Sequence, residues 1–175
     1  MRPRLLVLAL TLAALALALI ATVAFGDDKS RMRASLSTYE EVPSISSTGS
    51  GRFVATIDDD AQQITYTLTY ENLSGPPLFS HIHLGQRGAN GGVAVFLCGG
   101  GGKPACPVAT SGTVTGTISP ANIVGPAGQG LTTGEWAELV AAIRAGVTYA
   151  NIHTPSFPSG ETRGQINDRS RADAD

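Results

Sequence analysis

Charge is scarce in this chain, and aromatic side chains are scarcer. Only 15% of the 175 residues are Asp, Glu, Lys or Arg, and only 6% are Phe, Trp or Tyr. Acidic and basic residues nearly balance, 14 against 12, giving a formal net charge of -2. No basic patch is present to hold nucleic acid, and no acidic tract to serve as a solvating tail. A phosphate loop is missing as well. The glycine run Gly99 to Gly102 lies between two cysteines rather than between a strand and a helix, and no Lys-Ser/Thr pair follows it. There is no Gly-x-Ser-x-Gly elbow, and the serines lie in loops without an evident His–Asp team.

What is plentiful is glycine, at 21 residues. Low charge with many Gly, Thr and Ser suits a compact β protein with tight turns. The length fits one domain plus an export segment. Arg2 and Arg4 precede an apolar run from Leu5 to Ile20 that continues almost to Phe25. A charged start, an apolar stretch and a small-residue exit at Ala24-Phe25-Gly26 describe a secretory signal. The run is also nearly long enough to span a bilayer, so an uncleaved anchor is the alternative. Residues 1–26 are therefore expected to be a signal peptide or N-terminal membrane anchor, 27–33 a polar tether, 34–166 the domain and 167–175 a flexible tail. Either reading places the domain outside the cytoplasm, in contact with a membrane only through an uncleaved N-terminus.

The chain has two cysteines, Cys98 and Cys106. An exported domain allows them to pair. The intervening loop, Gly99 to Ala105, carries four glycines and can close. A disulfide there is the expectation, and a thiol metal pair the alternative.

Short strands account for most of the rest. Ala34 to Thr38 opens the domain, and Glu40 to Ser50 reads as a loop. Arg52 to Ile57 is a strand, and Asp58-Asp59-Asp60 a hairpin turn that needs no calcium. Ile64 to Tyr70 alternates strictly, with Ile64, Tyr66, Leu68 and Tyr70 on one face and Thr65, Thr67 and Thr69 on the other. Further strands are expected at Ser80 to Leu84, Val93 to Cys98, Gly112 to Ile118, Thr148 to His153 and Glu161 to Ile166. One short helix is expected over Glu135 to Ala145. Trp136, Leu139, Val140 and Ile143 form its apolar stripe, Thr132 and Glu135 have capping-box spacing, and Gly146 stands at its end. The fold class is thus all-β: an antiparallel sandwich of about eight strands with one short α-helix.

All three histidines fall in strand-like segments, His81-Ile82-His83 and Asn151-Ile152-His153-Thr154. Residues two apart on a strand share a face, so His81 and His83 aim at one point. His153 on a neighbouring strand completes a three-nitrogen set. Neutral imidazole suits Zn, Cu, Fe and Ni. Copper is the expected ion and zinc the second choice. The alternative is that the imidazoles satisfy buried polar groups at one end of the sandwich. Glu161, Arg163 and Gln165 alternate onto one face. Glu161, Arg163 and Asn151 are the expected polar supports of the histidines, with Glu161 accepting an imidazole N–H. Arg163 is also placed to pair with Glu161 or Glu41.

The sequence resembles the CHRD domain family, named for chordin and found also in bacterial exported proteins. The resemblance runs from Leu36 to Ile166 and rests on ordered blocks. These are Leu36 to Pro43, Ile64 to Tyr70, Ser80-His81-Ile82-His83-Leu84-Gly85, Val95 to Cys98, Gly112 to Ile118, Tyr149 to Thr154 and Pro158 to Gln165. It implies a stand-alone extracytoplasmic module with no catalytic role to transfer. The chain lacks the Cys-rich modules through which chordin holds its ligand, so growth-factor binding is not implied. A more distant likeness, limited to His81-Ile82-His83 and the sandwich, is to copper–zinc superoxide dismutase. With only His153 in addition, the chain cannot supply that enzyme's four copper imidazoles. The expectation is a non-enzymatic binding module whose partner is a protein or a metal. A purely structural or protein-interaction domain is the first alternative, and a metal-dependent enzyme the second.

Overall fold

The structure, a computed structural model, describes residues 30–166. The segment expected to be a signal or anchor, the first residues of the tether and the C-terminal tail lie outside the described residues. Among the described residues, no helix is long and apolar enough to cross a membrane.

Eight strands follow in order: β1 (Ser30–Ser37), β2 (Ser50–Asp58), β3 (Gln63–Glu71), β4 (Phe79–Leu84), β5 (Gly92–Cys98), β6 (Gly112–Ile118), β7 (Thr148–His153) and β8 (Thr162–Gln165). The helix α1 (Trp136–Arg144) comes before β7. β1 starts earlier than the sequence suggested and takes in residues expected to be tether. Met32, Ala34 and Leu36 point inward, while Arg31, Arg33 and Ser35 face solvent. Two arginines on the wet face of a half-buried strand look like a linker when the alternation is not followed back far enough.

The strands form one antiparallel sheet in the order β5-β4-β7-β8-β1-β2-β3-β6. It narrows in the middle, where β1 and β8 share a single registered pair, Ser37 and Arg163. Gly164 permits the approach there, because a Cβ on it would lie 2.2 Å from the Ser35 carbonyl oxygen. On either side of this waist is a four-stranded half. The halves face each other, as Tyr66 of β3 shows by donating 2.7 Å to the Leu97 carbonyl of β5. The result is the expected sandwich, made from one sheet turned back on itself.

Its core follows from the period-two pattern. Phe53, Ile57, Ile64, Leu68, Ile82, Leu97, Ala150 and Ile152 are all essentially inaccessible. Fully burying a large aliphatic or aromatic side chain contributes about 1.5–3 kcal/mol. Trp136, Leu139, Val140 and Ile143 turn the α1 stripe into the same core. The capping box is half made. Thr132 N–H donates to the Glu135 carboxylate at 2.6 Å, but Glu135 itself is the N-cap residue. Cys98 and Cys106 form a disulfide across the glycine loop. Such a bond fits a domain that works in an oxidising compartment.

Candidate metal centre

A sandwich normally wets the outer face of each sheet. Here the outer face of β4, β7 and β8 is covered instead. All six residues of β7 are buried, as are the four of β8. Along these strands the outer positions carry His81, His83, Tyr149, Asn151, His153, Arg163 and Gln165, none of them exposed. The histidines therefore do not lie in the interior between the two halves. They lie on the back of one half, under loops.

Register decides which rings meet. His81 stands opposite Asn151 on β7, and His83 opposite Tyr149. His153 stands opposite Phe79, one diagonal step from His81. Diagonal partners on one face come within reach of aromatic side chains. Thus His81 Nδ1 approaches His153 Nε2 at 3.2 Å. His83 stacks on Tyr149 with ring centroids 4.8 Å apart and planes inclined by only 2°. Phe79 stacks on His81 at 5.1 Å, and Phe96 meets the same ring edge-on at 4.4 Å.

The other nitrogens are fixed by loop carbonyls. His83 Nδ1 lies 3.0 Å from the Gly91 oxygen, and His153 Nδ1 lies 3.1 Å from the Pro158 oxygen. A carbonyl only accepts, so both Nδ1 atoms carry the proton and both Nε2 atoms present lone pairs. Gly91 can deliver its carbonyl because it has no side chain: a Cβ there would lie 1.7 Å from the Leu84 oxygen. The Nε2 atoms of His81 and His83 are buried without a hydrogen-bond partner. Among the described residues the other such side-chain atoms are hydroxyls of Tyr70, Thr148 and Thr162.

Burial keeps these rings neutral. Desolvation, helped by the neighbouring His153 and His83, pushes the His81 pKa down to about 3. Desolvation likewise lowers His83 to about 4, against the Gly91 hydrogen bond and with the help of His153 and Arg163. His153 is lowered too, chiefly by burial. Neutral imidazoles are what a metal needs. One nitrogen from each ring falls in a set whose members all lie within 4.8 Å of one another. Bonds of about 2.0–2.1 Å at tetrahedral angles put ligand nitrogens about 3.3 Å apart. His153 Nε2 accepts from His81 Nδ1–H at 3.2 Å, which leaves the His81 lone pair on Nε2.

The expected polar supports are distributed differently. Glu161 touches no imidazole. Its carboxylate accepts from the Ser47 hydroxyl at 2.6 Å, the Ser74 N–H at 2.8 Å, and the Ser74 and Thr154 hydroxyls at 2.7 Å each. It precedes β8 rather than belonging to it, so the alternation that joined it to Arg163 and Gln165 does not hold. Burial raises its pKa, but these hydrogen bonds outweigh that effect and hold the carboxyl below its ordinary value. Arg163 pairs with Glu41 instead, with Nε 3.0 Å from Oε2. Asn151 donates 2.6 Å to the other Glu41 oxygen. Arg163 also donates to the Ala89 carbonyl at 3.0 Å and to Asn90 at 2.7 Å, which pins the loop that carries Gly91. Its guanidinium lies over the Tyr149 ring, 4.3 Å from the centroid. Arg163 and Asn151 therefore support the site through the loop and Glu41, not through an imidazole.

A family model for the CHRD domain matches residues 32–166, nearly all of the described chain. The chain belongs to the CHRD domain family. Comparison with curated proteins gave no match, and comparison with solved structures gave none. In this CHRD domain the aromatic neighbours Phe79 and Tyr149 were within reach of sequence reasoning, because each sits two or four residues from a histidine on its own strand. The carbonyls of Gly91 and Pro158 come from loops and leave no side-chain signature. The fit of the fold to an extracellular module rests on the family and the disulfide together.

Proposed function

We propose that this chain is an extracytoplasmic binding module that holds one copper ion, with zinc as second choice, on His81, His83 and His153. One observation carries the reading. Two imidazole nitrogens, His81 Nε2 and His83 Nε2, are buried lone-pair atoms without a partner, in a cluster whose remaining nitrogens are anchored. Leaving a buried polar atom unpaired costs about 1–3 kcal/mol, and a bound cation removes that cost. The module is read as a binder rather than a catalyst because the CHRD family supplies no catalytic role, and among the described residues no carboxylate bonds to the imidazoles. The N-terminal apolar run supports export, and the disulfide is consistent with it.

Metal analysis after gentle copper loading tests the proposal. About one ion per chain is expected in the wild type, and a large loss in the double variant His81→Ala, His153→Ala. Equal metal in both proteins would remove the claim. A second reading has its own observation: the 3.2 Å His81–His153 contact is a good hydrogen bond without metal. It predicts that a chelator leaves the melting temperature unchanged. Chelator-dependent loss of several degrees in the wild type alone would contradict it.

A further inference from the structure

The three imidazoles are surrounded by rings rather than anions. Neither nearby carboxylate reaches them. Glu41 is committed to Asn151 at 2.6 Å and to Arg163 at 3.0 Å, and Glu161 is committed to Ser47, Ser74 and Thr154. The walls are aromatic. Phe79 lies 5.1 Å from His81 and 4.9 Å from His153 between ring centroids, Phe96 closes on His81 at 4.4 Å, and Tyr149 covers His83. Over the Tyr149 ring stands the cationic group of Arg163, 4.3 Å from the centroid. The histidines themselves are 4%, 8% and 6% exposed in chain order.

This environment discriminates by charge. Every ligand is neutral, so a bound ion keeps its whole charge inside a poorly polar enclosure. The desolvation cost of an ion grows as the square of its charge, so a divalent ion bears four times the penalty of a monovalent one of the same size. A divalent zinc ion on three protein ligands also takes water or another ligand in the fourth position. The aromatic walls leave little surface at the rings for a hydrated fourth ligand. A monovalent ion with a filled d shell is content with three nitrogens near a plane, and it is polarisable enough to lie against aromatic rings.

Resting on the metal-binding reading above, we propose that the His81–His83–His153 cluster takes a monovalent d10 cation, Cu(I) or its analogue Ag(I), in preference to Zn(II) or Cu(II). The absence of any anionic ligand among the described residues, the aromatic enclosure and the nearby guanidinium all favour the lower charge.

The purified protein tests this without any substitution. Silver nitrate serves as the redox-inert probe and zinc chloride as its competitor, and bound metal is counted after gel filtration. Cuprous ion, held anaerobically by a colorimetric chelator, repeats the measurement. One Ag(I) or Cu(I) per chain is expected, retained against about a tenfold excess of zinc, and lost in the His81→Asn, His153→Asn variant. Zinc binding as tightly as silver overturns the charge preference while leaving the metal site intact. No ion of either charge overturns both. Silver retained in full by the folded double variant also overturns the assignment, because the metal would then sit elsewhere.

Discussion

Mild acid should weaken this fold, and the size of the effect follows from the buried histidines. Unfolded imidazoles titrate near 6.5, while His81 and His83 in the folded chain are held at about 3 and about 4. Between those values the unfolded state binds protons that the folded state refuses. Stability is therefore full above about pH 6.5 and falls as pH drops toward 4. At pH 5 each neutral buried imidazole costs about 2 kcal/mol relative to its unfolded form, from 1.36 kcal/mol per pH unit. His81 and His83 together lose about 4 kcal/mol, and His153 adds in the same direction. Glu41 works the other way: burial raises its pKa, so the folded state takes up that proton first and gains stability as the pH falls. Thermal melts at pH 7.5 and 5.0 read the sum. A domain of this size should melt on the order of 10 °C lower at pH 5.0. A His83→Gln variant should show a smaller difference between the two pH values, whatever its absolute stability. A melting temperature that does not move between pH 7.5 and 5.0 in the metal-free protein would refute the reasoning.

Three further outcomes are expected. Replacing Arg163 with Met leaves Glu41 as a buried carboxylate without its cation, and should cost about 3–5 kcal/mol in urea unfolding; a change below about 1 kcal/mol would show the pair to be unimportant. Glu161→Gln removes the charge from a carboxylate that accepts four hydrogen bonds and should cost about 2 kcal/mol, yet leave metal content unchanged, because it touches no imidazole; a loss of metal would count against the observed arrangement. Replacing both Cys98 and Cys106 with Ser reopens a short loop and should cost about 2–3 kcal/mol in the chain-entropy view, measured by the urea midpoint at constant slope.

The strands were legible because their alternation is strict and their ends are marked by glycine, proline or aspartate. Gly112–Ile118 and Thr148–His153 match the expectation to the residue, and β3 extends it by one residue at each end. β1 was cut short because Arg31 and Arg33 on its solvent face masked the inward Met32. The histidine cluster was legible from period two alone. What period two could not show was the depth of the site. Nothing in His81-Ile82-His83 announces that the outer face of β4 is roofed over, since the roof is made by the backbone of Gly91 and Pro158 and by the loop that Arg163 holds. Glu161 was misplaced for a related reason. Alternation holds only while the chain stays extended, and at Glu161 β8 has not yet begun.

The waist of the sheet has a consequence for the order of events during synthesis. β8 is the last described strand, yet it lies between β7 and β1, the first. Until it docks, the two halves have no shared ladder, Glu41 has no Arg163, and the loop bearing Gly91 lacks the Arg163 bonds to Ala89 and Asn90. The oldest and newest parts of the domain must meet before the histidines are enclosed. Contacts of such long sequence separation form late and slowly. A chain stalled or clipped before Thr162 would keep all three histidines and still lack the strand that completes their enclosure. If the cluster takes a metal as proposed, loading would then come after folding, with the finished domain as the receptor.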